Sequence, residues 1–275
     1  MSMAGVAQET VRIVEQGEYV APSGRTVSLK ESVEHAVSGT VLYRPSDFER
    51  LAPPASTGSA LRVEVTSEKT GHASRRLIEK EGVEDVLALN FASARNPGGG
   101  FLRGAKAQEE DLARCSALYT CLITQPDYYT VNREERSLLY TDHLIYSPRV
   151  PFFRDEKLRF LERPFHVSIV TAPAPNAGQL LRREPGLRPR IREVLHSRAL
   201  KVLRVAAERG HRTLVLGAWG CGAFGNDPTD AADAFAAALS ALPGAFDRVV
   251  FAVYERAGDG PNLRTFRARF GSPAA

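Results

Sequence analysis

The chain has 275 residues, of which 43% are hydrophobic and 25% are charged, and its 36 basic and 32 acidic residues give a formal charge of +4. This composition is ordinary for a globular protein with one large domain, and no apolar run approaches the roughly 18 residues of a membrane span. The three cysteines contain no CxxC pair, which favours free thiols over a disulfide framework or a zinc site. We therefore expect a cytoplasmic protein.

The first 58 residues differ in pattern from the rest of the chain. Residues 8–16 have a helical pattern, residues 22–24 (Pro-Ser-Gly) predict a turn between extended pieces, and residues 52–58 have the composition of a linker. We expect residues 1–58 to form an extension packed on a core of residues 59–275, the whole being a single domain.

From residue 61 onward, predicted strands and helices alternate, which is typical of an α/β layered fold. Predicted strands cover residues 61–66, 85–92, 165–171, 213–216 and 248–254. Predicted helices cover residues 73–81, 189–209, 228–242 and 263–270, and another begins near residue 105. Residues 124–163, rich in aromatic residues and prolines, are predicted to form an ordered insertion that helps to wall a cleft.

The strand at 85–92 leads into a loop in which three glycines precede two adjacent glutamates. Glycines allow a ligand to approach the backbone closely, and carboxyl groups can do acid/base chemistry. On a helix, Glu110 would turn away from the buried side of Leu112 and Cys115 and face the mouth of a cleft. Acidic residues in a first helical turn also serve simply as partners of the helix dipole. The motif residues are Gly98, Gly99, Gly100, Gln108, Glu109 and Glu110.

A second glycine-rich loop, residues 217–227 (Gly-Ala-Trp-Gly-Cys-Gly-Ala-Phe-Gly-Asn-Asp), follows the strand at 213–216. Closely spaced glycines can turn backbone N–H groups toward an anion, and Asp227-Pro228 is a typical helix start. We predict a phosphate cradle here, although loop glycines are often simple turn formers. Because ligands of open α/β sheets bind outside the carboxyl ends of strands, both loops should face one cleft.

Together these motifs resemble those of poly(ADP-ribose) glycohydrolases. Gly-Gly-Gly, seven residues and then Gln-Glu-Glu are similar to the signature of that family. Three phrases resemble its compact bacterial-type branch: Asn-Pro-Gly-Gly-Gly-Phe-Leu (96–102), Pro-Ala-Pro-Asn (173–176) and the second loop. The resemblance spans nearly the whole chain. It implies a macrodomain-like three-layer α/β fold, in which a mixed, largely parallel sheet lies between helices and the N-terminal extension is added to it.

The resemblance also implies a catalytic assignment. Glu110 would be the general acid that protonates the leaving ribose 2′-oxygen, and then the base that activates water. Glu109 would orient the ribose hydroxyls, and Gln108 would support the loop. Cleavage of a ribose–ribose bond passes through an oxocarbenium-like state that such carboxyl groups can assist, so no metal or other cofactor is expected.

For the substrate, the resemblance implies that Asn96 binds the distal ribose and that Phe224 packs between this ribose and the diphosphate. Tyr254 or Phe266 would stack on the adenine, although core packing explains either aromatic residue as well. The remaining implied contacts come from the two loops: Gly98, Gly99, Gly100, Gln108, Gly220, Cys221, Gly222, Ala223, Gly225 and Asn226.

The implied partners are poly(ADP-ribose), ADP-ribose and poly(ADP-ribosyl)ated proteins, and we expect a monomer without membrane or direct DNA binding. Two alternatives keep the same ligand: a non-catalytic ADP-ribose reader, and a hydrolase of mono-ADP-ribosyl groups. A nucleic-acid-binding protein would use the basic clusters at 182–183 and 188–192, but a solvated basic face is the better explanation of these clusters. Recognition alone does not require Gln-Glu-Glu, so the glycohydrolase is favoured, with cleavage at chain ends or internal bonds left open.

Overall fold

In the computed structural model, which describes residues 2–52, 60–256 and 258–271, a seven-stranded sheet lies between two layers of helices. The strands are β1 (Glu18–Val20), β2 (Thr26–Ser28), β3 (Val41–Tyr43), β4 (Arg62–Thr66), β5 (Val86–Phe91), β6 (Leu144–Arg154), β7 (Phe160–Ala172), β8 (Thr213–Leu216) and β9 (Arg248–Ala252). The helices are α1 (Met3–Gln16), α2 (Lys30–Ser38), α3 (Thr70–Arg75), α4 (Gln108–Cys115), α5 (Leu118–Leu122), α6 (Pro126–Glu134), α7 (Ala177–Arg183), α8 (Arg188–Glu208), α9 (Pro228–Ser240) and α10 (Pro261–Phe270). β1 and β2 form a separate hairpin.

The central sheet is mixed and largely parallel, which confirms the predicted fold class. Its strand order is β3-β6-β7-β5-β8-β9-β4. The pairs β3-β6 and β6-β7 are antiparallel, whereas β7, β5, β8, β9 and β4 run parallel to one another. The carboxyl ends of these parallel strands therefore meet at one edge of the sheet, which is where ligands bind in open α/β folds.

The sequence of β5 explains why helices cover both faces of the sheet. Successive side chains of a strand point to opposite faces. Leu87 and Leu89 pack with residues of α8, α9 and α10, and Val86 and Ala88 pack with residues of α1, α4, α5 and α6. Burial on both faces accounts for the nearly continuous apolar run of this strand.

The N-terminal segment contributes a strand to the sheet as well as helices around it. β3 is the edge strand beside β6. α1 supports α4, because the Thr10 Oγ1 hydroxyl donates to the Arg114 carbonyl oxygen at 2.9 Å. The linker predicted at residues 52–58 lies almost entirely outside the described residues.

Residues 124–163 are ordered, as predicted, and Glu156, Lys157 and Leu158 line the cleft, but most of the segment belongs to the central sheet and is not an insertion. After α6, this region forms β6 and the beginning of β7, two long antiparallel strands inside the central sheet. β6 contains Pro148 and Pro151, and its pairing with β7 shifts in register between Ser147 and Val150. Prolines within a sheet are confined to edges and bulges, so they concealed this strand in the sequence.

The helix predicted from residue 105 is divided into α4 and α5. Ser116 separates them, because its backbone is extended at φ −146 and ψ 179 and forms a β-bridge with Phe152. The helix predicted at 73–81 begins earlier, as α3, and continues as a π-helical turn over Arg76–Lys80. The other helices and strands predicted for the core have both ends within five residues of the observed bounds.

Candidate active site

A cleft of about 920 Å³ lies at the edge of the sheet where the parallel strands end. Residues at or just beyond the ends of β5, β7, β8 and β9 line it: Phe91, Ala174, Ala218 and Val253. Both glycine-rich loops and the first turn of α4 also face the cleft. Its volume is at the upper end of the roughly 300–1,000 Å³ that small-molecule sites occupy.

The Glu110 carboxyl group lies at the N-terminus of α4 and lines this cleft. Its Oε1 accepts the Gly100 N–H at 2.8 Å, and its Oε2 accepts the Ala107 N–H at 3.0 Å. The second bond is that of a capping box, since Glu110 is the third residue of the helix and Ala107 is the N-cap. Two backbone bonds therefore fix the carboxyl group in position, with 7% of the residue exposed.

The neighbouring carboxyl group, that of Glu109, is more deeply buried. It accepts the Ser93 N–H at 2.7 Å and the Asn90 Nδ2–H at 3.2 Å. The pKa of Glu109 is raised to about 8: burial is the largest cause, these two hydrogen bonds oppose it, and the charge of Glu110 adds to the rise. Burial therefore favours the protonated form of Glu109.

Replacing Glu109 with glutamine is expected to change how stability depends on pH. Because the folded-state pKa of about 8 lies above the ordinary value of 4.5, the bound proton stabilises the folded protein; this contribution is fully present below the ordinary pKa and is lost as pH rises through the folded pKa. Relative to Glu109→Gln, the parent's free energy of unfolding should fall by up to about 1.4 kcal/mol per pH unit within that window. Denaturant unfolding of both proteins at several pH values measures the free energy of unfolding. If the plots of this free energy against pH were parallel for the two proteins, the raised pKa of Glu109 would be refuted.

Gln108 holds the first turn of α4 through hydrogen bonds to the protein. Its Oε1 accepts the Phe91 N–H at 2.8 Å, and its Nε2 donates to the Leu89 carbonyl at 2.8 Å and to Thr70 Oγ1 at 3.0 Å. The side chain thus joins α4 to the end of β5 and the start of α3. Gln108 also lines the cleft, and these bonds agree with the loop-supporting role that the resemblance implies.

In the first loop, the central glycine is explained by the glutamates. Gly99 has φ +60, and a Cβ there would lie 2.5 Å from Glu110 Oε1 and 3.0 Å from Glu109 Oε2. The sequence predicts that these glycines leave room for a ligand; at Gly99 the room is needed by the two carboxyl groups. Gly99, Gly100 and Asn96 line the cleft, whereas Gly98 lies behind its surface.

The second loop presents backbone N–H groups to the cleft. Within the described residues, the N–H groups of Gly222, Ala223 and Phe224 make no hydrogen bond, nor does that of Gly220, and all four residues line the cleft. Such a set of free donors is a typical anion-binding arrangement. The N-cap of α9 lies just behind it, where the Asp227 carboxylate accepts the Thr229 N–H at 2.9 Å.

The other predicted residues of this loop hold its shape. The Cys221 N–H donates to Ala218 O, the Gly225 N–H to Gly222 O and the Asn226 N–H to Gly220 O. The Asn226 side chain is buried and donates to the carbonyl oxygens of Pro175 at 2.7 Å and Gly220 at 3.1 Å. Cys221, Gly225 and Asn226 are not among the residues that line the cleft, so the predicted donor set narrows to the four free N–H groups.

The aromatic candidates differ in exposure. Tyr254 lines the cleft with 54% of its surface exposed, and the Lys69 ammonium lies 5.7 Å from its ring centroid. Phe266 is fully buried, with its ring 5.3 Å from that of Phe251, so it offers no face to a ligand and its assignment as an adenine platform is wrong. Phe224 is half-buried and lines the cleft beside the free N–H groups.

Sequence reasoning missed Asn90 and Ser93, which both hold Glu109. Asn90 is fully buried, and its Nδ2 also donates to Thr171 Oγ1 at 3.1 Å. A polar residue inside the apolar run of β5 was a detectable signal, because buried polar groups need partners. Ser93 acts through its backbone N–H, which no side-chain pattern reveals. Across the described ranges, no group of three or more His, Cys, Asp or Glu side chains is arranged to hold a metal ion.

A family model described as the catalytic domain of microbial-type PARG matches residues 7–155. Poly(ADP-ribose) glycohydrolase (PARG) from Thermomonospora curvata is 48% identical; the alignment covers 98% of this chain and 99% of that chain, with a TM-score of 0.91. Its structure with the inhibitor ADP-HPD is 47% identical over the same shares, with a TM-score of 0.89. The Deinococcus radiodurans enzyme in complex with ADP-ribose is 46% identical over 86% of this chain and 96% of that chain, with a TM-score of 0.79.

No curated protein matches the chain. Among the helices of the described residues, none has the length and apolar character needed to cross a membrane. The likeness to the bacterial structures extends over the central sheet and both helical layers, because it covers nearly the whole chain.

Proposed function

The chain belongs to the microbial-type poly(ADP-ribose) glycohydrolase family, and on that premise we propose that it hydrolyses the ribose–ribose O-glycosidic bonds of poly(ADP-ribose) and releases ADP-ribose. One observation carries the proposal for this chain: two glutamates at the start of α4 and four free backbone N–H groups of the second loop line the same cleft. The free N–H groups suit a diphosphate, and the two glutamates suit the ribose beside it.

The proposed pose follows from the chemistry of the cleft walls. The diphosphate lies on the free N–H groups of the second loop, because such donors bind anions without a counter-charge. Tyr254 stacks on the adenine with its exposed ring. Phe224 packs against the distal ribose, and Asn96, whose side chain makes no hydrogen bond to the described protein, binds its hydroxyls. This places the bond to be cut beside Glu110.

Glu110 is proposed to act as general acid and then as general base. In the first step Glu110, protonated in the complex with substrate, gives its carboxyl proton to the leaving 2′-oxygen as the glycosidic bond breaks. In the second step the carboxylate takes a proton from water as the water oxygen bonds to the ribose carbon. The hydrogen bonds from Gly100 and Ala107 hold the carboxyl group in place for both steps. Glu109, whose pKa is raised by burial, orients the ribose hydroxyls.

We further propose that the whole chain acts as one domain, as a monomer in the cytoplasm, on polymer attached to proteins. The support of α4 by α1 favours the single domain, because the N-terminal segment then holds the catalytic helix. All three cysteines are free, and Cys115 and Cys121 are buried, which suits a reducing compartment.

The test is release of free ADP-ribose from purified poly(ADP-ribose), with a protein carrying single ADP-ribosyl groups as the comparison substrate. We expect the polymer to be degraded and the single groups to remain attached. Binding of ADP-ribose without release from either substrate would identify a reader. Release from the single groups alone would identify a hydrolase of mono-ADP-ribosyl groups.

A further inference from the structure

Besides the glutamates and the second loop, a further group of residues lines the same cleft. Since Glu110 bonds to the N–H groups of both Gly100 and Ala107, the loop between these residues closes around its carboxyl group. That loop and the hairpin between β6 and β7 form the walls of this part of the cleft. We call it the outer cleft, lined by Arg103, Lys106, Arg114, Glu156, Lys157 and Leu158.

The outer cleft carries an excess of positive charge. Arg103, Lys106 and Lys157 are exposed, and within the described ranges none of them forms an ion pair. Glu156 is the acidic residue among those that line it. The N-terminus of α1 adds a partial positive charge, since Met3, the first residue of this helix, also lines the cleft.

Arg114 is the observation that points to a ligand. The residue is 2% exposed, and its Nε and Nη1 atoms are buried without a hydrogen-bond partner in the described protein. A buried guanidinium without a counter-charge is costly, so such groups are ordinarily paired. Because Arg114 lines the cleft, an anion bound there would supply the missing partner.

We propose that the outer cleft is a second phosphate-binding subsite, which holds the diphosphate of the polymer unit that leaves after cleavage. The inference rests on the proposed function. The unit that is released as ADP-ribose lies between the second loop and the glutamates, so the rest of the polymer must continue on the far side of the scissile bond. The leaving ribose carries a diphosphate, and among the residues that line the cleft the outer cleft supplies unpaired basic side chains to receive it.

The test uses a cleavage-deficient Glu110→Gln background and two ligands, ADP-ribose and its two-unit oligomer. The Glu110→Gln protein without further changes should bind the two-unit oligomer at least tenfold more tightly than it binds ADP-ribose, a difference of about 1.4 kcal/mol. A triple variant exchanges Arg103, Lys106 and Lys157 for glutamine. It should lose most of the tighter oligomer binding and keep its ADP-ribose affinity within twofold. Its oligomer binding should also depend less on salt, because phosphate contacts are lost. Titration calorimetry at two salt concentrations measures all three quantities.

A charge-matched control exchanges Arg62, Lys80 and Arg163 for glutamine, all exposed and outside the cleft lining. It should bind both ligands like the background. A separate Arg114→Met variant tests the buried cation. It should weaken binding of the oligomer but not of ADP-ribose. Without ligand it should be at least as stable as the background, because an unpaired buried charge is removed.

The outcomes separate the subsite from the proposed function. If the background and the control bind ADP-ribose, and the triple variant binds the oligomer as tightly as they do, the subsite is wrong and the proposed function stands. If ADP-ribose itself does not bind and the parent releases none from the polymer, the proposed function falls and the subsite falls with it. If the Arg114→Met protein is less stable than the background, Arg114 is a structural residue of the core. The proposal that its guanidinium binds the diphosphate would then be wrong.

Discussion

Replacing Glu110 with glutamine is expected to reduce turnover of poly(ADP-ribose) by about three to four orders of magnitude, the upper part of the range for acid/base catalysis. The amide cannot release a proton to the leaving oxygen or take one from water. Its shape preserves the cleft, so ADP-ribose affinity should stay within about tenfold, or ~1.4 kcal/mol. ADP-ribose release from the polymer measures turnover, and calorimetry measures the affinity.

The capping role of Glu110 requires a separate measurement of stability. Glutamine has one side-chain oxygen where the carboxyl group accepts two N–H bonds, so the variant should lose about 0.5–2 kcal/mol of stability. Activity is therefore compared well below the melting temperature of both proteins. Glu79→Gln makes the same change on the π-helical turn, outside the residues that line the cleft, and should retain full turnover. If Glu110→Gln kept nearly the activity of the parent, Glu110 would not be the general acid and base, and only its role in capping α4 would remain.

The sequence predicted the fold well where strands and helices have simple periodicity. β8 was predicted with its observed bounds, and the start of α9 at Pro228 was read from its N-cap. β6 was missed because it contains two prolines, which argue against a strand in the sequence. Pro148 lies within the register shift between Ser147 and Val150, and Pro151 pairs with His166 of β7, so the strand becomes evident only from its pairing.

The candidate site was predicted at the level of loops, and less well at the level of atoms. A glycine-rich sequence indicates that N–H groups can turn toward an anion, but it does not reveal which of them are used within the loop. The side chain of the buried Asn226 donates to Gly220 O within the loop and to Pro175 O outside it. These contacts fix the shape of the loop and therefore determine which N–H groups stay unbonded. Similarly, the pKa of Glu109 is raised by burial, and the rise is opposed by hydrogen bonds from Ser93 and Asn90, neither of which the position of Glu109 in the first helical turn reveals.

The second large effect is expected from Gly99→Ala. The new methyl carbon would lie 2.5 Å from Glu110 Oε1 and 3.0 Å from Glu109 Oε2, on a backbone with φ +60. Both carboxyl groups belong to a rigid helix start, so the clash must move the loop or the glutamates. A displacement of about 1 Å in a catalytic group can cost 10²-fold in rate. We therefore expect turnover to fall at least about 100-fold and stability to fall by on the order of 2–4 kcal/mol.

Gly82→Ala is the matched control, because it separates backbone strain from the clash with the glutamates. Gly82 also has a positive φ, +69, but a Cβ added there would meet nothing within 4 Å. This variant should lose about 1 kcal/mol of stability and keep full turnover. Initial rates on poly(ADP-ribose) and thermal unfolding of both variants give the comparison. If Gly99→Ala behaved like Gly82→Ala, the loop would be free to move away from the glutamates, and close packing would not be the reason for glycine at this position.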